Sequence, residues 1–176
     1  MTVRAPGEAL GWYPGPVNAR AAVTAYVALG SNLGDRLAFL RAARATLAAR
    51  ADVTVEASSP VFETDPVTAD PQPAYLNAVL RLRTSLAPEE LLAVCLEVER
   101  TLGRQRPPGV FEAPRVIDID VLLVGQARIE GPVTVIPHPR LSERPFVRIP
   151  LAAVAEPGLI HPVTAAALDV ATPHPG

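Results

Sequence analysis

The sequence predicts an α+β domain with the element order β-α-β-β-α-β. Three stretches carry that reading. Residues 74–84 ("AYLNAVLRLRT") alternate with the period of two of a half-buried strand. Residues 87–103 ("APEELLAVCLEVERTLG") repeat apolar side chains with helical spacing. Residues 115–124 ("RVIDIDVLLV") are an apolar strand run that carries two aspartates.

The remaining elements follow in chain order. Residues 1–22 are rich in Pro, Gly and Ala and lack any period, so they read as a loose extension before a single domain at 23–176. "VTAYVAL" (23–29) is a short apolar strand, and "GSNLGD" is the turn after it. A helix starts near Gly34 or Asp35, with Leu37, Leu40 and Leu47 on one face. "VTVEASSPVFET" (53–64) is β-like, with Pro60 marking an edge or bulge. A proline-rich loop (65–73) leads to the strand at 74–84. That strand puts Leu76, Ala78, Leu80 and Leu82 on one face, and Tyr75, Asn77, Val79, Arg81 and Arg83 on the other. In the second helix Pro88 suits the first turn, Glu89 and Glu90 favour its positive end, and Gly103 stops it. Leu91, Cys95, Val98 and Leu102 form its buried stripe. A loop (104–114) then enters the strand at 115–124. "IEGPVTVIP" suggests one more strand, 145–154 a short helix, and the residues from about 164 another short helix that frays. This order is the ferredoxin-like arrangement: an antiparallel sheet with helices on one face and C-terminal additions that help cover the other.

Composition removes several kinds of chemistry. The single cysteine, Cys95, rules out an internal disulfide framework or a multi-cysteine zinc site, and its apolar neighbours make it a helix core residue. All 16 basic residues are arginine. Schiff-base lysines and the phosphate-binding lysines of P-loop enzymes and protein kinases are therefore absent. A net charge of −2 gives no global attraction to nucleic acid. No apolar run reaches the roughly 20 residues of a membrane span, and the N-terminus lacks a secretory layout. A cytoplasmic monomer without nucleic-acid or membrane partners is the expectation.

Asp118 and Asp120 share one face of their strand, while Ile117, Ile119 and Val121 take the other. Their Cα atoms lie about 6.5–7 Å apart at roughly 3.3 Å per residue, close enough for both carboxylates to meet one cation or two neighbouring ones. Alone, the pair is a weak signal and fits a solvated strand face better. Arg104, Arg106 and Arg115 bracket the loop that runs into it, and arginine offers a charged fork matched to phosphate oxygens. Acids for metal beside arginines for phosphate suit phosphoryl transfer. Tyr75 and Asn77 offer a flat ring to stack on and an amide that both donates and accepts, although by themselves they also fit an ordinary polar sheet face. "GSNLGD" fits no established phosphate-loop spacing, and His138 in "IPHPR" fits either a ligand contact or a turn.

Taken in order, "AYVALGSNLGDR", "SSPVFETDPV", "YLNAVLRLRTSLAPEELL", "EVERTLGRQR", "PRVIDIDVLL" and "IPHPRLSERPFVRIPL" resemble the 6-hydroxymethyl-7,8-dihydropterin pyrophosphokinases of folate biosynthesis, over residues 24–152. The resemblance implies an ATP-dependent diphosphotransferase that moves pyrophosphate from ATP to the pterin hydroxymethyl, releases AMP and uses two magnesium ions. It implies Asp118 and Asp120 as metal ligands, and Arg104 and Arg115 as the residues that hold and activate the phosphates. It assigns the pterin to Asn77, to backbone around Thr64, Asp65 and Val67, and to an aromatic pair, Tyr75 and Phe146. Glu99, Arg106, His138 and Arg144 fall to the nucleotide site. In the family the loop at 104–115 is a lid, and here it departs from the usual pattern. Pro107 and Pro108 stand at usually basic positions, the tryptophan is missing, Phe111 comes one residue early, and the segment is one residue longer. Two other classes share parts of the pattern. A non-catalytic ferredoxin-like binding or regulatory module would explain the altered loop. An RNA-binding sheet would need more exposed aromatics and a basic face.

Overall fold

The computed structural model describes residues 20–67, 71–105 and 113–169. Most of the extension at 1–22, the centre of the loop at 106–112 (with Arg106, Pro107, Pro108 and Phe111), and the end of the chain from 170 lie outside the described residues.

Among the described residues ten elements follow one another: β1 (Val23–Ser31), α1 (Arg36–Ala48), β2 (Val53–Ser58), β3 (Phe62–Thr64), β4 (Tyr75–Thr84), α2 (Pro88–Thr101), β5 (Asp118–Val124), β6 (Ile129–Glu130), β7 (Val135–Ile136) and α3 (Pro145–Ala152). The main sheet has the order β2-β4-β1-β5, with β3 also on β4, and all its pairings are antiparallel. This is the expected ferredoxin-like topology, with β1 at the centre between β4 and β5.

Local chemistry explains the boundaries. The Asp35 carboxylate caps α1 by accepting from the Ala38 N–H at 3.0 Å. At α2 the Glu90 side chain reaches back to the Ala87 N–H at 2.6 Å, and Pro88 occupies the first turn. Gly103 ends it at φ +91°, a conformation that glycine adopts without strain. The β-like run at 53–64 divides in two around Pro60, which has no N–H for a ladder. Ser59 bridges the break: its N–H donates to Val79 O, and its hydroxyl accepts from the Val79 N–H, both at 2.9 Å.

α1 and α2 cover one face of the sheet. Leu40, Leu47, Leu91, Cys95 and Val98 pack there against Val27, Leu29, Leu80, Leu82, Ile117, Ile119 and Val121. Each fully buried Leu or Ile contributes about 1.5–3 kcal/mol relative to exposure. Cys95 is completely buried, as expected of a core position, and burial pushes its thiol up to about 12. At pH 8 the folded protein is therefore expected to resist iodoacetamide, with intact mass showing alkylation only after denaturation.

On the opposite face, Val147 and Leu151 of α3 join Leu141, Val154 and Leu168 over Tyr26, Val79, Leu122 and Leu123. This is the expected cover from the C-terminal addition. Arg81 anchors it by donating to Val154 O at 3.1 Å while pairing with Glu56 at 3.4 Å.

Three expectations are corrected. β5 begins at Asp118 rather than Arg115, because residues 115–117 turn aside to meet the β1–α1 turn. "IEGPVTVIP" forms a two-strand hairpin, β6–β7, rather than one strand, since the chain bends back at Pro132 and Val133 and the Gly131 N–H donates to Thr134 O at 2.9 Å. No helix starts at 164 among the described residues; Ile160 and Ala167 pair as an isolated bridge instead. No helix of the described residues is long and apolar enough to cross a membrane.

Candidate active site

The sheet face under α3 is only partly covered. Beside the first turn of α3, a cavity of about 300 Å3 opens over the ends of β1, β4 and β5. Its floor is β1. Ala28 and Gly30 point into it, while Val27 and Leu29 face the helices. Gly30 pairs with Asn77 on one side and Asp118 on the other, and Ala28 pairs with Asp120. A Cβ on Gly30 would stand 3.4 Å from Asn77 Oδ1 and 3.9 Å from Asp118 Cβ. The backbone tolerates that contact, but the cavity loses depth. Gly30→Ala is therefore expected to keep the fold, with Tm nearly unchanged, and to weaken binding of a flat heterocycle over Asn77 by about tenfold, measured by calorimetry.

The β4 side of the cavity is aromatic and amide-rich. Tyr75, Asn77, Thr64, Asp65, Pro66 and Val67 line it. Asn77 is 7% exposed, and its amide donates to Thr64 Oγ1 at 2.8 Å, which fixes its orientation. Phe146, at the start of α3, closes the same cavity from above. The Arg144 guanidinium lies 5.5 Å from the centre of the Phe146 ring, within cation–π range.

The β5 side is charged. Asp118, Asp120, Arg104, Arg115, His138, Arg140 and Arg144 line it. Asp118 accepts from two arginines at once. Arg104 meets Asp118 Oδ1, and Arg115 Nη1 lies 2.8 Å from Oδ2. Asp120 lies 3.9 Å from Arg144 Nη1. Partial burial and the neighbouring Asp118 charge raise the Asp120 carboxyl to about 6, against the pull of Arg144. Burial opposes the charge on Arg115, but Asp118, Tyr75 and Asp120 outweigh it and hold the guanidinium above its ordinary range. Burial, then Arg144 and Arg140, push His138 below its usual value. It is neutral at pH 7, and its Nδ1 accepts from the Arg140 N–H at 3.1 Å. Among the described residues no group of three His, Cys, Asp or Glu could hold a metal ion. A cation at Asp118 and Asp120 would need oxygen ligands from elsewhere, which suits magnesium bound with phosphate and water.

Of the residues singled out in the sequence, Thr64, Asp65, Val67, Tyr75, Asn77, Arg104, Arg115, Asp118, Asp120, His138, Arg144 and Phe146 therefore share one cavity. Glu99 does not line it. It is 2% exposed behind β5, where one carboxylate oxygen accepts from Arg104 at 2.6 Å and from the Ile119 N–H at 2.7 Å. It braces Arg104 from behind. Arg106 lies outside the described residues. Arg140 and the small floor residues Ala28 and Gly30 escaped sequence reasoning, although "VALG" alternates apolar with small side chains in the register that would have shown the floor.

A family model for 7,8-dihydro-6-hydroxymethylpterin-pyrophosphokinase matches residues 26–156, close to the span over which the motifs fall. The chain belongs to this family. It is 46% identical over 132 residues to a 2-amino-4-hydroxy-6-hydroxymethyldihydropteridine pyrophosphokinase of Bacillus subtilis, covering 75% of this chain and 78% of that protein. It is 44% identical over 131 residues to the protein of the same name from Methylorubrum extorquens, covering 74% and 82%. A folic acid synthesis protein of Schizosaccharomyces pombe is 37% identical over 140 residues, or 80% of this chain, which spans only 19% of that longer protein. The pyrophosphokinase match takes in both sides of the cavity, from Thr64 on β3 to Phe146 on α3.

Proposed function

We propose that the protein transfers the pyrophosphoryl group of ATP to 6-hydroxymethyl-7,8-dihydropterin, giving the pterin diphosphate and AMP in folate biosynthesis. One observation carries this reading: a single cavity joins an aromatic, amide-lined half to a half with two aspartates and four arginines, across the width of one strand.

The pterin stacks between Tyr75 and Phe146, and its polar edge meets the Asn77 amide and the backbone of Thr64 to Val67. The hydroxymethyl oxygen then faces the β-phosphate. It attacks the β-phosphorus, the bond from that phosphorus to the oxygen bridging it to the α-phosphorus breaks, AMP leaves with that oxygen, and the hydroxyl proton passes to water. Asp118 and Asp120 would hold the magnesium, two ions by family resemblance, and bound magnesium would neutralise triphosphate charge and draw electrons from the β-phosphorus. Arg104 and Arg115 turn from Asp118 to the phosphates and stabilise the charge that develops in transfer, while Arg144 and neutral His138 line the nucleotide. Such transfer is mostly alignment and charge stabilisation, so it needs no lysine. A cytoplasmic monomer without nucleic-acid or membrane partners completes the reading.

AMP formation is the test. It is expected only with ATP, the pterin and magnesium together, to stop with EDTA, and to resume with excess magnesium. Binding of both ligands with no AMP under any of these conditions would make the protein a non-catalytic module.

A further inference from the structure

Thr64 on β3, with Tyr75 and Asn77 on β4, forms one wall of the cavity. β3 is only three residues long, and among the described residues its one strand partner is β4. Phe62 stands opposite Asn77, Glu63 opposite Leu76 and Thr64 opposite Tyr75. Past Thr64 and Tyr75 that ladder ends. Thr64 Oγ1 accepts from the Asn77 amide at 2.8 Å, so the place of Thr64 decides which way that amide points. Arg36 closes the open end from outside the cavity, which it does not line. Its Nη1 donates to Glu63 Oε1 at 2.8 Å and to Ala74 O at 2.7 Å. Glu63 and Ala74 are the residues just before Thr64 and Tyr75. One nitrogen therefore ties the last turn of the chain before each wall residue to the other.

The place of Arg36 in its own helix is a second observation. It is the first residue of α1, and no acidic residue shares that first turn. A cation there opposes the positive end of the helix. A local rule broken in this way points to service elsewhere in the fold. The turn before it aims the side chain: Gly34 takes φ +65°, and the Asp35 carboxylate caps the helix through the Ala38 N–H. We infer that Arg36 is a positioning residue for the pterin, a clamp that holds Thr64 and Tyr75 in register so that Asn77 presents its amide in one orientation. The inference rests on the proposed pterin half of the cavity. It gives the "GSNLGDR" turn a purpose, although its spacing matches no phosphate loop.

Stability and pterin affinity are expected to part company in Arg36→Ala. The Arg36–Glu63 pair is 30% and 60% exposed, so its loss costs little, and removing the cation relieves the helix end. Tm should therefore stay within about 3 °C of wild type. Calorimetry on the full chain reads the affinities. The ligand is 6-hydroxymethyl-7,8-dihydropterin, titrated with saturating magnesium and an ATP analogue bearing a methylene between the α- and β-phosphorus. Pterin affinity is expected to fall about tenfold in Arg36→Ala, and nucleotide affinity to change by less than about twofold. Glu63→Ala removes one arm of the clamp and is expected to weaken the pterin by about threefold. The double variant should bind no more weakly than Arg36→Ala alone, because the two residues act through one bridge. Should Arg36→Ala fail to fold, Glu63→Ala carries the same comparison of pterin against nucleotide. Unchanged pterin affinity, equal losses for pterin and nucleotide with a lowered Tm, or simple additivity in the double variant each overturns the inference. A wild type that binds the pterin but makes no AMP sinks the proposed activity and leaves the clamp open to this test. A wild type that makes AMP, with Arg36→Ala binding the pterin equally well, does the reverse.

Discussion

Asp118→Asn is expected to lower kcat by about a thousandfold, roughly 4 kcal/mol of barrier, with the fold intact. The substitution keeps the shape of the side chain and removes its charge. What it loses first is the anionic ligand for a cation on the β5 side of the cavity. The fold is expected to survive because Arg104 keeps its second partner, Glu99, at 2.6 Å. Asp118 is also not part of the packed face, which runs through Ile117, Ile119 and Val121. Circular dichroism and a steady-state AMP assay on the same preparation separate the two effects. A collapse of Tm with kcat per folded molecule unchanged would make Asp118 a structural acid that only pairs arginines.

Arg115→Ala is expected to reduce kcat by about a hundred- to a thousandfold, the usual cost of removing one donor aimed at developing charge. Its guanidinium lines the cavity beside Asp118, and its backbone is fixed by Asn32 from both sides. The side chain can therefore be removed while the segment stays in place. Arg115→Lys is expected to recover little, because a lysine offers a point charge in place of a planar fork. Single-turnover kinetics report the chemical step directly, and a lysine variant with the wild-type rate would contradict the role given to the fork.

Much of this was legible in the residues. Alternation in "AYLNAVLRLRT" placed Tyr75 and Asn77 on the face opposite Leu80 and Leu82, and the structure keeps that division. The apolar face of "VIDIDV" likewise packs under the helices and leaves both aspartates in the cavity. The pattern failed where a tertiary contact overrides it. At Leu122 the ladder between β1 and β5 slips, so Leu122 and Leu123 both pack under α3, which no period of two anticipates. Ser59 stands in for a broken ladder, and Asn32 joins segments 40 and 83 residues away. Those are properties of polar side chains in a folded context, and no local spacing encodes them. Glu99 shows the same limit from the other direction. Its helix position was readable, but its service to Arg104 and the Ile119 N–H depends on how α2 sits against β5.

Phosphorus NMR of the complete reaction, with the pterin, ATP and magnesium, tests the central claim most directly. The account predicts AMP and a pterin diphosphate appearing in equal amounts at the expense of ATP, with no ADP. ADP with a pterin monophosphate would place attack at the γ-phosphorus and contradict the alignment read from the cavity. Unchanged ATP, with both ligands bound, would contradict catalysis itself.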